Sequence, residues 1–464
     1  MIALTEFTGK KVAVFGLGKS GNGAVRALSE GGAEVFAWDD SENARNQLVK
    51  AKYRNVGLEE PEKWPWEKIK ILVLSPGIPL YFPKPHRVVS LARLSGAEIL
   101  CDIELLYHAN PEAKFVGITG TNGKSTTTAL IHHILTSSGI TAEIGGNIGI
   151  SALDLKELPA DGVYVIEVSS YQLDLLHKTR FNVAALLNIT PDHIDRHGDM
   201  KGYINAKKRI FHNQRSGDTA VIGIDDENCR KIFEELREKN GAQIIAISNK
   251  TEAKGGVSTR GDVIYDDTAG RLKKLEIGSL PNLIGVHNRQ NIATAFAVCR
   301  SLGVAAGKIL EAVKSFPGLD HRAQTIAEIK GVKFINDSKA TNAEAAEKAI
   351  LCFENIFWIV GGLPKDGGIK SLVPYFKRIQ HAFLIGEAQE EFAKTLQGKV
   401  KFSKCGDLQT AVEFAAKAAF IDSGKDPVVL LSPACASFDQ FKNFEERGKR
   451  FVELVKKLQK KVGA

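Results

Sequence analysis

Residues 115–135 read FVGITGTNGKSTTTALIHHIL. FVGIT has the uncharged, β-branched make-up of a buried strand, and TTTALIHHIL continues as a helix. Between them lies Gly120-Thr121-Asn122-Gly123-Lys124-Ser125-Thr126. Its Gly-Lys-Ser core is that of a phosphate loop. Backbone N–H groups and the Lys124 ammonium offset the charge of β- and γ-phosphates, and the Ser125 hydroxyl reaches Mg2+. The strict pattern has glycine where Ile118 stands, so the motif rests on its strand–loop–helix setting. The competing reading is an ordinary Gly-rich turn.

Working outward, similar apolar runs ending in Gly, Asp, Ser or Thr recur. They include KVAVFGLG (11–18), EVFAWDD (34–40), ILVLSPG (71–77), VYVIEVSS (163–170), VAALLNIT (183–190), KFINDSKAT (333–341), FWIVGG (357–362) and VVLLSPACAS (428–437). Near-continuous apolar strands alternating with helical segments predict an α/β protein with parallel sheets covered on both faces. Ligands then bind beyond the carboxyl ends of the strands, so the polar closing residues are the places to look for chemistry. At roughly 150 residues per domain, the 464 residues suggest three domains. The blocks are drawn at 1–102, 103–316 and 317–464, with a β-rich excursion at 253–278.

Hydrophobic residues make up 44% and charged residues 25%, ordinary globular usage. The six cysteines are scattered without a CxxC pair, which speaks against a disulfide frame or zinc site. A net charge of +8 suits anionic small substrates. No dense basic stripe interleaved with aromatics points to nucleic acid. No apolar run approaches the ~20 residues of a membrane helix, and MIALTEFTGKK lacks a signal peptide's features. The expectation is a cytoplasmic monomer acting on small molecules, with no nucleic-acid or membrane partner.

Gly16-Leu-Gly18-Lys-Ser-Gly21, with Asp39 after the next strand, fits GxGxxG. By itself it is open between NAD, another nucleotide diphosphate and a bare tight turn. A phosphate loop in the same chain is unusual for a dehydrogenase and favours a substrate's diphosphate. Glu167 closes a strand and is a natural Mg2+ ligand. Asn147, in GGNIG, is either a phosphate or substrate contact or a left-handed turn residue. NITPDHIDRHG (188–198) carries Asp192, His193, Asp195 and His197, and His193 is a candidate metal-site or catalytic residue. Lys207, in YINAKKRIF, reads alone as a solvated helix residue. Asn288 and Asn291 either contact adenine or cap a helix. In the last block, Asp320-His321-Arg322, Asp337 and Lys339 sit at strand ends. Ser437 and a helix start after it suggest a carboxylate pocket.

GTNGKST, EVSSYQL, NITPDHIDRH, the YxxAK ending at Lys207, HNxxN, PGLDHR and NDSKATN occur in the order seen in the Mur ligases, ATP-dependent amide-bond formers of bacterial cell-wall synthesis. The resemblance spans nearly the whole chain. SPACASFDQFKNFEERG (432–448), with GLGKSG and SPGI, looks like the branch that adds D-glutamate to UDP-N-acetylmuramoyl-L-alanine.

This resemblance implies a Rossmann-like UDP-binding domain, a central P-loop ATPase-like domain and a C-terminal Rossmann-like domain. It implies that Lys19, Ser20, Asp39 and Gly77 line the UDP site and that Asn147 contacts the sugar-peptide. Residues from Gly120 through Thr127 would hold ATP phosphates, with Asn288 and Asn291 at adenine and Arg322 and Asp337 closing from the third domain. Ser125, Glu167 and His193 would bind Mg2+, with two sites expected. Lys207 would carry a CO2-derived carbamate as a further metal ligand. Lys124, Glu167, His193 and Lys207 would be the catalytic set. Lys339, Thr341, Lys365, Ser437, Phe438 and Phe444 would form the D-glutamate pocket, with Arg447 nearby. The chain departs from some members at Ser41, where they carry arginine, and in the GGLPKDGG spacing around Lys365. The rival readings are an NAD-dependent oxidoreductase, resting on GLGKSG, and a nucleotide-regulated binding protein without catalysis.

Overall fold

The computed structural model describes residues 2–238, 241–278, 280, 282–365 and 367–462. Three sheets organise them, one in each of three α/β domains. The first has five parallel strands in the order Val56–Leu58, Glu34–Trp38, Lys11–Phe15, Ile71–Leu74, Glu98–Leu100. Val12, Ala13, Val14 and Phe15 are all buried, as a strand covered on both faces requires. The chain reverses its winding between Lys11–Phe15 and Ile71–Leu74, which opens a crevice beyond Phe15 and Leu74.

The second sheet has nine strands. Seven run parallel, in the order Val257–Arg260, Gln243–Ser248, Thr219–Gly223, Val183–Leu186, Lys114–Thr119, Val163–Glu167, Ala142–Gly146. Val263–Asp266 and Lys273–Glu276 extend one edge antiparallel, which accounts for the β-rich excursion. Together with the first sheet it forms one compact unit, Met1–Gly278 with Arg289–Ser315.

The second unit, Ser279–Asn288 with Phe316–Ala464, carries the third sheet. Its order is Gln324–Ile329, Val332–Asn336, Val428–Leu431, Ile356–Gly361, Ile379–Ile385, Lys401–Gly406, with only the first strand antiparallel. Its apolar residues fill two layers, one on each face: Trp358 and Phe392 belong to one, Phe334 and Phe383 to the other. No helix among the described residues is long and apolar enough to cross a membrane. All six cysteines are free thiols.

Candidate active site

Strand Lys114–Thr119 lies between Val163–Glu167 and Val183–Leu186, with Ile118 level with Glu167 and Thr119 with Leu186. Parallel strands deliver their C-terminal loops to one edge, so the segments after all three meet there. Gly120 (φ 153°) and Gly123 (φ 86°) take backbone conformations open to glycine. A Cβ on Gly123 would stand 2.3 Å from Asn291 Oδ1. Helix Lys124–Ser137 opens directly after Gly123. Ser125 and Thr127 are buried at its head, and Thr126 is half-buried. Lys124 Nζ donates to Gly120 O (2.8 Å) and Thr121 O (2.9 Å), so its ammonium lies over the loop.

The loop is held from the neighbouring strand by Asn188, which motif reading did not single out. Thr121 N donates to Asn188 O and Asn122 N to Asn188 Oδ1, each at 2.8 Å. Asn188 Nδ2 returns a bond to Asn122 O at 3.1 Å and reaches Gln290 Oε1 at 3.3 Å. Thr127 Oγ1 donates to Asn291 Oδ1 at 3.2 Å. Asn291 thus supports the loop from below. Asn288 belongs to the other compact unit, where its amide donates to Ile284 O. Helix Val286–Ser301 already starts before both, so neither is its cap.

Glu167 is buried. Asn147 Nδ2 donates to its Oε1 and Asn147 N to its backbone carbonyl, while Oε2 has no hydrogen-bond partner among the described residues. The left-handed positions of the GGNIG turn are Gly146 and Gly149, which removes that reading for Asn147.

Lys207 corrects the reading from its own segment. It is 1% exposed, on the face of helix Met200–Lys208 that also buries Tyr203 and Ala206. The spacing of four between Tyr203 and Lys207 is a signal in the sequence for a shared helix face, which the reading of Lys207 as solvated leaves unused. Lys207 Nζ donates to Gly120 O at 2.9 Å and lies 4.7 Å from the Tyr203 ring centre. Burial, reinforced by the charge of Lys124, pulls its ammonium down to about 7. His193 sits exposed in a left-handed conformation (φ 53°) just before the short helix Ile194–His197.

At the first sheet, Gly16 has φ 89°, and a Cβ on Gly21 would lie 1.7 Å from Gly16 O. The glycines are required for that packing, whatever the ligand. Lys19 is exposed at the helix start. The Asp39 carboxylate accepts from Leu17 N (2.6 Å) and Ser41 N (2.7 Å), one bond to each oxygen, tying down the loop. Ser20 turns towards Asp102, a buried carboxylate that also accepts from Ser151 Oγ at 3.1 Å. Burial raises the Asp102 carboxyl, and those hydrogen bonds only partly offset it. Gly77 O accepts from Arg196 Nη1 at 2.9 Å.

Within the second unit, Asp337 is buried and accepts from Ser432 Oγ (2.8 Å) and Ala323 N (3.1 Å). Burial pushes its carboxyl up to about 7, although these bonds and nearby Arg322 pull the other way. Arg322 is half-buried. Lys339 Nζ stands 5.2 Å over the Phe444 ring, and Thr341 is half-buried next to it. Lys365 and Phe438 are exposed, whereas Ser437 is buried. The helix expected just after Ser437 opens only at Phe444. A turn intervenes, in which Gln440 N and Phe441 N donate to Ser437 O. Arg447 is 1% exposed and donates to Ser338 Oγ and O, Cys435 O and Ala436 O. It braces the segments after two strands, and burial lowers its guanidinium to about 10.

The Mur ligase middle domain family matches residues 118–299, and the Mur ligase glutamate ligase domain family matches residues 321–435. A UDP-N-acetylmuramoylalanine–D-glutamate ligase of Paramagnetospirillum magneticum is 48% identical over 455 residues, 98% of each chain. The chain belongs to the Mur ligase family. The ligase of the same name from Rhodospirillum rubrum is 48% identical over 99% of this Mur ligase and 97% of its own length. Among solved structures, MurF of Acinetobacter baumannii superposes with a TM-score of 0.60 at 18% identity, covering 95% of this chain and 93% of that one. MurC of Thermotoga maritima gives 0.58 at 17%, covering 97% and 99%. At such identities these two establish the shared Mur ligase fold.

Proposed function

We propose that this Mur ligase joins D-glutamate to UDP-N-acetylmuramoyl-L-alanine, with ATP converted to ADP and phosphate, in peptidoglycan precursor synthesis. The observation that carries it is 48% identity along nearly the whole chain to ligases bearing that name. The activity draws on ATP and Mg2+.

A carboxylate is a poor acyl donor at neutral pH. Transfer of the γ-phosphoryl of ATP to the L-alanine carboxylate gives an acyl phosphate. The D-glutamate amine attacks its carbonyl carbon, and the tetrahedral intermediate expels phosphate to leave the amide. Lys124 and the N–H groups of Gly120–Thr127 spread the developing negative charge. Mg2+ supplies further stabilisation of charge on the phosphate oxygens.

The buried Glu167 carboxylate, with one oxygen unpartnered, fits such an ion. Among the described residues no group of three or more His, Cys, Asp or Glu is arranged for a metal. Mg2+ held largely by phosphates needs only one or two carboxylates. Ser125 and His193 would complete its protein ligands. With its ammonium drawn down to about 7, Lys207 is partly deprotonated at neutral pH; the amine form can take up CO2, and the carbamate would place an anion for a second Mg2+ at this buried position.

The remaining assignments follow the same reading. Lys19, Ser20, Asp39, Gly77 and Asn147 serve the UDP-sugar, with Asp39 and Ser20 acting through loop geometry. Asn288, Asn291, Arg322 and Asp337 serve the nucleotide. Lys339, Thr341, Lys365, Ser437, Phe438 and Phe444 serve D-glutamate. The domains divide at 102/103 and 316/317, and the enzyme works as a cytoplasmic monomer. ADP release measured with each substrate omitted in turn tests the proposal: turnover must require both UDP-N-acetylmuramoyl-L-alanine and D-glutamate. Binding of NADH in place of the UDP-sugar would restore the oxidoreductase reading.

A further inference from the structure

Arg196 lies in the NITPDHIDRHG segment but is neither a phosphate-loop nor a metal-site residue. Its guanidinium forks onto two consecutive carbonyls of the loop after strand Ile71–Leu74: Nη1 to Gly77 O at 2.9 Å and Nη2 to Pro76 O at 3.4 Å. The same guanidinium lies 4.6 Å over the ring of Tyr171. That ring sits 5.1 Å from the His193 ring and stacks at 5.4 Å and 17° on His197. His197 is buried, and its Nε2 lies 2.9 Å from Ser170 Oγ, just after the Glu167 strand. A second contact joins the same two segments. Phe82 packs so tightly on Gly198 that a Cβ there would come within 2.8 Å of it.

We infer that Arg196 is a positioning residue, coupling the Pro76–Gly77 loop to His193 through the Tyr171 ring. The inference rests on the UDP-sugar and Mg2+ assignments above. His193 is exposed and in a left-handed conformation; its ring is contacted by Tyr171, tilted at 57°, by Asp192 Oδ2 at 3.4 Å from Nε2, and edge-on by Tyr203 at 6.4 Å, and of these Tyr171 is the one that Arg196 also covers. Substrate that settles the Pro76–Gly77 loop therefore also settles His193, and the reverse holds by linkage. Arginine suits the role because a planar fork bonds two carbonyls and stacks on a ring at once, which lysine cannot do.

Calorimetry on the full chain tests this. Affinity for UDP-N-acetylmuramoyl-L-alanine is measured with and without Mg2+ plus a non-hydrolysable ATP analogue. Wild type is expected to bind about tenfold tighter in their presence, a common size for such coupling. In Arg196→Ala and in Arg196→Lys the ratio falls to about one, whereas Tyr171→Phe, which keeps the ring, retains it. Should the alanine variant fail to fold, the lysine variant carries the same comparison. A wild-type ratio of one overturns the inference, as does a variant that loses affinity or thermal stability with the ratio intact. Failure of the functional reading is separate: wild type would then release no ADP with both substrates present.

Discussion

Asn147 donates to one oxygen of the Glu167 carboxylate across 2.8 Å, and the second oxygen is buried with no hydrogen-bond donor among the described residues. A buried carboxylate oxygen without a donor is a position that a cation stabilises. The amide fixes the orientation of the carboxylate, and the second oxygen is the one a bound Mg2+ would take under the proposed function.

Glu167→Gln should therefore remain folded and lose on the order of 10²–10³ in kcat. Its melting temperature should also stop responding to Mg2+ added with ATP, while the wild type gains. Activity within a factor of two of wild type would remove Glu167 from the metal site.

Lys207→Ala should be nearly inactive yet folded, and a short carboxylic acid should restore part of the rate by standing in for the carbamate. Bicarbonate-depleted buffer should depress wild-type activity reversibly. Full activity in the alanine variant would end the carbamate claim.

Asn188→Ala removes the side-chain pair of bonds to Asn122 N and Asn122 O. At about 1 kcal/mol net per bond, the KM for ATP should rise roughly tenfold or more. Affinity for the UDP substrate measured without nucleotide should stay put, since the Gly16–Gly21 loop is untouched. Equal loss of both would mean general unfolding of the sheet edge.

Asp337 gives a pH signature. Burial pushes its folded carboxyl from the ordinary aspartate value of 3.8 up to about 7, so between those values the folded chain holds a proton that the unfolded chain has released. Its contribution to stability is full below the lower value and is lost as pH rises through about 7. The slope is about 1.4 kcal/mol per pH unit inside that window. Asp337→Asn lacks this slope, so relative to wild type it should gain stability from pH 5 to pH 8 in denaturant titrations. Parallel profiles for the two proteins would show that Asp337 is ionised when folded.

Arrangement into three α/β domains, the phosphate loop and the strand-end acid Glu167 were legible in the linear order of residues. Strand periodicity, turn glycines and the Gly-Lys-Ser core are local properties, set by backbone sterics and nearest neighbours. Lys207 was half legible. Its spacing from Tyr203 marks a face, but that the face is inward depends on what packs there. Asn188, Arg196 and Asp102 acquired their roles only from tertiary structure. Each acts on a partner at least 49 residues away: Asn188 on Asn122, Arg196 on Gly77, and Asp102 on Ser151. Parallel strands are joined by long crossovers, so which loops share an edge is decided by strand order and register. The same holds for Asp39 and Ser20, whose polar atoms the fold spends on loop geometry, because a buried donor or acceptor takes whichever partner the packing brings within reach.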